Sequence, residues 1–248
     1  MVVIILAAGY ATRLYPLTKD KPKALLDIGS RPLVDHLIDK ISSLKNIKKI
    51  ILVTNHRFTG QFESWASRQE KKGDIHVLDD RTTSNENRLG AIGDLQFSID
   101  QYQVQDDIIV LASDNLFDGD LKDFVLFANS KKDSGCIGVH DLKDPSIGAK
   151  RYGMIRTDAE SRILSIDEKP EHPQSSLASM GIYFFPQSSL KFIKEYLASG
   201  AKQDAPGFYA TWLLAKMQMY AFSFPGRWYD IGSVEQLEEA RTSYSLKD

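Results

Sequence analysis

Short apolar runs rich in β-branched residues recur through the first part of the chain, with helical patterning between them. Val2–Leu6, Ile50–Thr54, Ile75–Leu78, Ile108–Ala112 and Cys136–Val139 show almost no polar alternation. A strand reads this way when both its faces are buried, as in a parallel sheet covered by crossover helices. Between the runs, Leu33, Leu37, Ile38, Ile41 and Leu44 fall on one helical face. So do Phe58, Phe62, Trp65 and Ala66, then Leu89, Ile92, Leu95, Gln96 and Ile99, then Leu121, Phe124, Val125 and Ala128. The pattern predicts an α/β fold: a Rossmann-like, mostly parallel central sheet flanked by helices on both faces. Such sheets bind ligands at the carboxyl ends of their strands, so the loops after Leu6 and Leu111 are the first places to seek chemistry.

Near residue 140 the rhythm changes. Tyr152–Thr157, Ile163–Asp167 and Ser179–Phe185 read as strands joined by short turns, and helical patterns return at Ser188–Leu197 and Pro206–Lys216. Met219–Phe224 and Arg227–Tyr229 read as short strands and Ser233–Tyr244 as an amphipathic helix. No linker-like or low-complexity stretch intervenes, so residues 1–248 are expected to form one domain: a first part of about residues 1–140 and a smaller mixed α/β lobe of about residues 141–248 on the same sheet.

Composition excludes several functions. Lys and Arg total 31 against 33 Asp and Glu, a net charge of -2, without the basic excess of a nucleic-acid binder. The single cysteine, Cys136, rules out an internal disulfide or a CxxC site, and its apolar surroundings predict a buried structural thiol. No apolar stretch approaches the ~18 residues of a membrane span, and no basic n-region of a signal peptide is evident. A cytoplasmic location without membrane association is expected. None of His36, His56, His76, His140 and His172 pairs with another at metal-ligand spacing.

The most informative segment is Leu6-Ala7-Ala8-Gly9-Tyr10-Ala11-Thr12-Arg13-Leu14-Tyr15-Pro16-Leu17-Thr18, followed by Pro22-Lys23. A turn of small residues leaves a buried strand and lets backbone N–H groups approach a phosphate or a base closely. Arg13 and Lys23 add two cations beside it. The segment contains neither the P-loop pattern GxxxxGK[ST] nor the dinucleotide fingerprint GxGxxG.

This string resembles the signature of the sugar-phosphate nucleotidyltransferases, or nucleoside-diphosphate-sugar pyrophosphorylases, in particular the glucose-1-phosphate thymidylyl- and uridylyltransferases. Further matches follow in order. Asp114-Asn115 resembles the family's G-D-N, Glu168-Lys169-Pro170 its E-K-P, Gly181-Ile182-Tyr183-Phe184 its G-x-Y-x-F strand, and Trp228-Tyr229-Asp230-Ile231-Gly232 its W-x-D-x-G. The resemblance runs from residue 1 to about residue 240. It departs at Ser113, where the family often has Gly.

The resemblance implies that an NTP and a sugar 1-phosphate react to give an NDP-sugar and pyrophosphate. The implied catalytic residues are Arg13 and Lys23, with Lys169 on the sugar phosphate. Asp114 and Asp230 are the implied ligands of Mg²⁺, and Glu168, Gly153 and Gly181 the implied contacts of the sugar. Leu6, Ala7, Ala8, Gly9 and Thr12 would cradle the nucleotide, with Thr83, Arg88 and Gly90 on the base side. The family's base-reading Gln is missing from Thr82–Gly93, so Thr83 or Arg88 would replace it; Asn85 and Asn87 either meet a pyrimidine edge or shape the turn. UTP or dTTP is favoured, with CTP admitted. The long C-terminal hexapeptide β-helix of relatives with a second, acetyltransferase activity is not expected, since the sequence stops soon after the Ser233–Tyr244 pattern. A homo-oligomer is compatible with the sequence.

Three other readings share parts of this pattern. A cytidylyltransferase acting on a non-sugar phosphate such as phosphocholine keeps the loop and the metal site. A glycosyltransferase would use Asp118-Gly119-Asp120 as a DxD motif, although these acids also stand where a helix start favours them. A catalytically dead nucleotide-sugar sensor is expected to lose Arg13, Lys23 or a metal aspartate, and all are present.

Overall fold

In the computed structural model, which describes residues 1–69 and 74–244, β1 (Val2–Leu6) lies inside a nine-stranded sheet. Its side chains alternate between the two faces. Val3 and Ile5 join one core with Leu37, Phe62, Trp65 and Phe124; Val2 and Ile4 join another with Ile92, Leu95, Tyr209 and Leu213. Burial on both faces explains the continuous apolar run.

The first part of the chain follows the expected order. After β1 come a minimal hairpin, β2 (Asp27–Ile28) and β3 (Arg31–Pro32), then α1 (Leu33–Ser42), β4 (Lys49–Thr54), α2 (Thr59–Ala66), β5 (Ile75–Asp79), α3 (Gly90–Tyr102) and β6 (Ile108–Ala112). β1 pairs in parallel with β4 and β6, and β4 with β5. Trp65 is fully buried, and its indole N–H donates to Asp35 Oδ1 at 2.7 Å, so the ring enters the core without leaving a donor unpaired.

Next come β7 (Asn115–Phe117), α4 (Leu121–Ser130), β8 (Gly135–Asp141), β9 (Gly153–Thr157), β10 (Ile163–Glu168) and β11 (Leu177–Phe185). The chain then forms α5 (Lys191–Ala198), α6 (Pro206–Leu213), β12 (Met219–Ser223), β13 (Trp228–Asp230) and α7 (Val234–Tyr244). The core clusters put α1, α2 and α4 on one face of the sheet and α3, α5 and α6 on the other. The fold is α/β, with a central sheet that is parallel through β6, β1, β4 and β5 and flanked by helices.

Beyond β6 the sheet becomes mixed. The Cys136–Val139 run does not extend the parallel series. β11 inserts between β6 and β8 and is antiparallel to both, while β8 is parallel to β12. Cys136 is buried there, and burial pushes its thiol up to about 12, consistent with a structural role.

β7, unforeseen in the sequence, pairs antiparallel with β13 as a separate two-stranded ribbon. Asp118 and Asp120, the formal DxD, both have structural duties. Asp120 caps α4 by accepting from the Lys122 backbone N–H at 2.8 Å, and Asp118 accepts from the Arg227 guanidinium at 3.0 Å. Among the described residues no helix is long and apolar enough to cross a membrane.

Candidate active site

The loop after β1 is pinned from below. Asn55, at the end of β4 and fully buried, donates to the Ala8 carbonyl at 2.9 Å. The Ala7 N–H donates to Val53 O at 2.9 Å, and the Thr18 hydroxyl closes the loop on Ala11 O at 2.8 Å. Ala11 adopts a left-handed conformation (φ 47°), which turns the chain into the short helical turn Thr12–Leu14. Leu14 is buried, while Thr12 and Arg13 remain exposed. Gly9 is also exposed, and none of the described residues lies within 4 Å of where a Cβ would stand, so the backbone there is open to a ligand.

A cavity of about 350 Å³ opens at the carboxyl ends of the central strands. Arg13, Lys23, Asp114 and Asp230 line one side; Gly153, Glu168, Lys169 and Gly181 line the other. Leu6, Ala7, Ala8, Gly9, Thr12, Thr83, Arg88 and Gly90 lie outside this lining.

The β7–β13 ribbon brings the two aspartates together. It sets Asp230 opposite Asn115, and the Ile231 N–H donates to Asp114 O at 2.9 Å. Lys23 Nζ lies 2.6 Å from Asp114 Oδ2. Burial, reinforced by the negative charge of Asp114, pushes the Asp230 carboxyl up to about 6 against the pull of Lys23, Arg151 and Arg13. Two carboxylates held so that one raises the other's pKa form a donor set that suits a hard dication. Mg²⁺ is commonly held by one or two carboxylates together with substrate phosphates. These residues fit a metal of that kind.

The opposite wall is built around Glu168. Gly153 stands beside it in the β9–β10 register, and Lys169 follows in a left-handed conformation (φ 50°) with its N–H on Tyr152 O at 3.1 Å. A Cβ on Gly207 would fall 1.8 Å from Glu168 Oε2, so any side chain there would push the carboxylate from its place. Burial raises the Glu168 pKa, with Lys169 acting in the other direction. Gly181 (φ 69°) sits where the pairing of β11 with β8 shifts register, and a Cβ there would press on Ala112 at 2.9 Å. The bulge turns β11 into the cavity wall.

The base-side loop is self-contained. Asn87 Oδ1 accepts from the Thr83 and Ser84 N–H groups at 3.2 and 3.0 Å, and its amide donates to Thr83 Oγ1 at 3.2 Å. Asn87 therefore shapes the turn. Arg88 reaches Asn85 O at 2.7 Å and Asp204 at 3.2 Å, tying this loop to the wall before α6. Gly90 (φ 77°) packs against the backbone of Gln203.

Several residues here were not singled out from the sequence. Arg151, Tyr152 and Asp204 also line the cavity, beside Trp228 of the Trp228–Gly232 motif. Arg151 lies over the Tyr152 ring at 5.1 Å, and Tyr152 packs on Trp228 with ring centroids 4.9 Å apart. Beneath the signature loop, Asp80 and Asp94 are both buried and face each other. Asp80 accepts from the Thr82 N–H at 2.7 Å and hydroxyl at 3.0 Å, while Asp94 Oδ1 has no hydrogen-bond donor among the described residues. Burial and the Asp80 charge push Asp94 up to about 8, so Asp94 carries a proton at neutral pH. Single carboxylates without a motif give no sequence signal for such a pair.

The family model described as nucleotidyl transferase matches residues 2–246. The chain belongs to the nucleotidyl transferase family. A Sulfolobus acidocaldarius protein assigned as a mannose-1-phosphate guanyltransferase is 31% identical over 229 residues, 92% of this chain and 59% of that protein. The chain thus spans about three fifths of the length of this relative. Among solved structures, a Bacillus anthracis protein assigned as a glucose-1-phosphate thymidylyltransferase aligns over 99% of this chain and 96% of its own, with a TM-score of 0.83 and 25% identity. An apo UDP-glucose pyrophosphorylase shares the fold at a TM-score of 0.83 and 19% identity, over 99% and 98% of the two chains.

Proposed function

We propose that this nucleotidyl transferase family member transfers a nucleotidyl group from an NTP to a sugar 1-phosphate, giving an NDP-sugar and pyrophosphate. The observation that carries the reading is the convergence of Arg13, Lys23 and Lys169 with Asp114 and Asp230 on one cavity whose far wall holds Glu168. The relatives named for guanyl and thymidylyl transfer to sugar 1-phosphates support the reaction class.

An oxygen of the acceptor phosphate attacks the α-phosphorus, and the bond from that phosphorus to the oxygen bridging the β-phosphate breaks. A phosphate monoester is already ionised at neutral pH, so the protein supplies position and charge rather than a base. The backbone from Leu6 to Gly9 and Thr12 cradles the nucleotide, with Thr83, Arg88 and Gly90 flanking the base. Arg13 neutralises the departing pyrophosphate, and Lys23 exchanges Asp114 for the reacting phosphates. Lys169 holds the acceptor phosphate, while Glu168, Gly153 and Gly181 bind its hydroxyls. Asp114 and Asp230 would hold Mg²⁺, which when bound would supply positive charge to the phosphates. Residues 1–140 thus supply the nucleotide side and residues 141–248 the acceptor side.

The test is pyrophosphate release with Mg²⁺, each of the five common NTPs and a panel of sugar 1-phosphates. Release is expected with at least one pair, UTP or dTTP being favoured. Release with CTP and phosphocholine alone would select the non-sugar cytidylyltransferase, and release with no pair would reject the proposal.

A further inference from the structure

We infer that Asn115 is a positioning residue that fixes the orientation of the Asp114 carboxylate through a relay from Trp228. The inference rests on the metal role proposed above for Asp114, and its test separates the two. The Trp228 indole N–H, which can only donate, meets Asn115 Oδ1 at 2.6 Å. That contact decides which way the amide faces. Its NH₂ group points at Asp114 Oδ1 at 3.2 Å and toward Ala112 O at 3.5 Å. Asn115 is only 3% exposed, so water offers the amide no alternative.

Lys23 takes the other oxygen of Asp114, at 2.6 Å. Each carboxylate oxygen therefore has its own donor, one from the loop after β1 and one from the ribbon. The positive-φ bulge at Gly181 packs beside the relay: a Cβ there would stand 3.5 Å from Asn115 Nδ2, an ordinary van der Waals contact. Asn115 also stands opposite Asp230 in the ribbon register, so one rung sets both carboxylates. Removing the indole N–H frees the amide to turn its oxygen toward Asp114, replacing a donor with a repelling acceptor.

The direct test is Mn²⁺ binding to the full chain without substrates, followed by the EPR signal of free Mn²⁺, beside initial rates at varied Mg²⁺. Trp228→Phe keeps an aromatic ring beside Tyr152 and His140 while removing the N–H donor with the pyrrole part of the indole; Asn115→Leu removes the whole relay. Both are expected to weaken Mn²⁺ binding and raise the half-saturating Mg²⁺ about tenfold. Raising Mg²⁺ to saturation should restore most of the rate lost in Trp228→Phe, so the defect lies in the half-saturating Mg²⁺. Should Asn115→Leu fail to fold, Trp228→Phe carries the test. Mn²⁺ affinity unchanged in Trp228→Phe, with binding abolished in Asp114→Asn, overturns the relay while leaving the metal reading standing. Mn²⁺ binding that survives in Asp114→Asn overturns the metal reading itself.

Discussion

Arg13 has no hydrogen-bonded or ion-paired partner among the described residues, yet it lies close enough to Asp230 to pull that carboxyl's pKa down. A cation kept free in this way is available to a ligand's charge. Arg13→Ala should therefore lower kcat by ~10²–10³, by analogy with losing one preorganised charge stabiliser, and leave thermal unfolding unchanged. Turnover near that of the wild type would remove Arg13 from the mechanism. Asp94 makes a different prediction. Its folded pKa of about 8 lies well above the ordinary carboxyl value of about 4, so between those limits the folded state binds more protons than the unfolded state. The stability from this protonated group is fully present below about pH 4 and is lost as pH rises through about 8. Asn at position 94 keeps a neutral donor facing Asp80 and removes the loss. Unfolding midpoints from pH 5 to 9 should show Asp94→Asn gaining on the wild type as pH rises; parallel curves would contradict the raised pKa of Asp94.

Secondary-structure elements explain how far the sequence could be read. β1, β4 and β6 were legible because each buries both faces and so carries an uninterrupted apolar run. β7 was not, because its three residues show no period and its partner β13 lies far along the chain. The ribbon that sets the two aspartates together is thus a product of tertiary pairing. Arg13, Lys23, Glu168 and Lys169 could be picked out from ordered short motifs. Gly207 acquires meaning only when α6 meets Glu168 across the cavity. Gly207→Ala should displace that carboxylate and raise the acceptor KM about tenfold or more, the loss of roughly one charged hydrogen bond, with the NTP KM unchanged. An unchanged acceptor KM would show that Glu168 takes no part in acceptor binding.

At the scale of the whole molecule, a net charge of -2 conceals strong local organisation. Cations from the loop after β1 and from the β10–β11 turn face one cavity, and two acids on a separate ribbon complete it. One sheet holds strands from both parts of the chain, so the proposed nucleotide and acceptor sides are fixed to a common frame. Under the proposed function this frame transfers a nucleotidyl group rather than a terminal phosphoryl group. The most direct measurement uses NTP labelled at the α-phosphorus, with Mg²⁺ and a sugar 1-phosphate, and follows the label. The label should enter an NDP-sugar while unlabelled pyrophosphate is released, and Asp114→Asn and Asp230→Asn should each abolish most of that transfer. Label recovered only in NDP, with the terminal phosphate on the acceptor, would contradict nucleotidyl transfer.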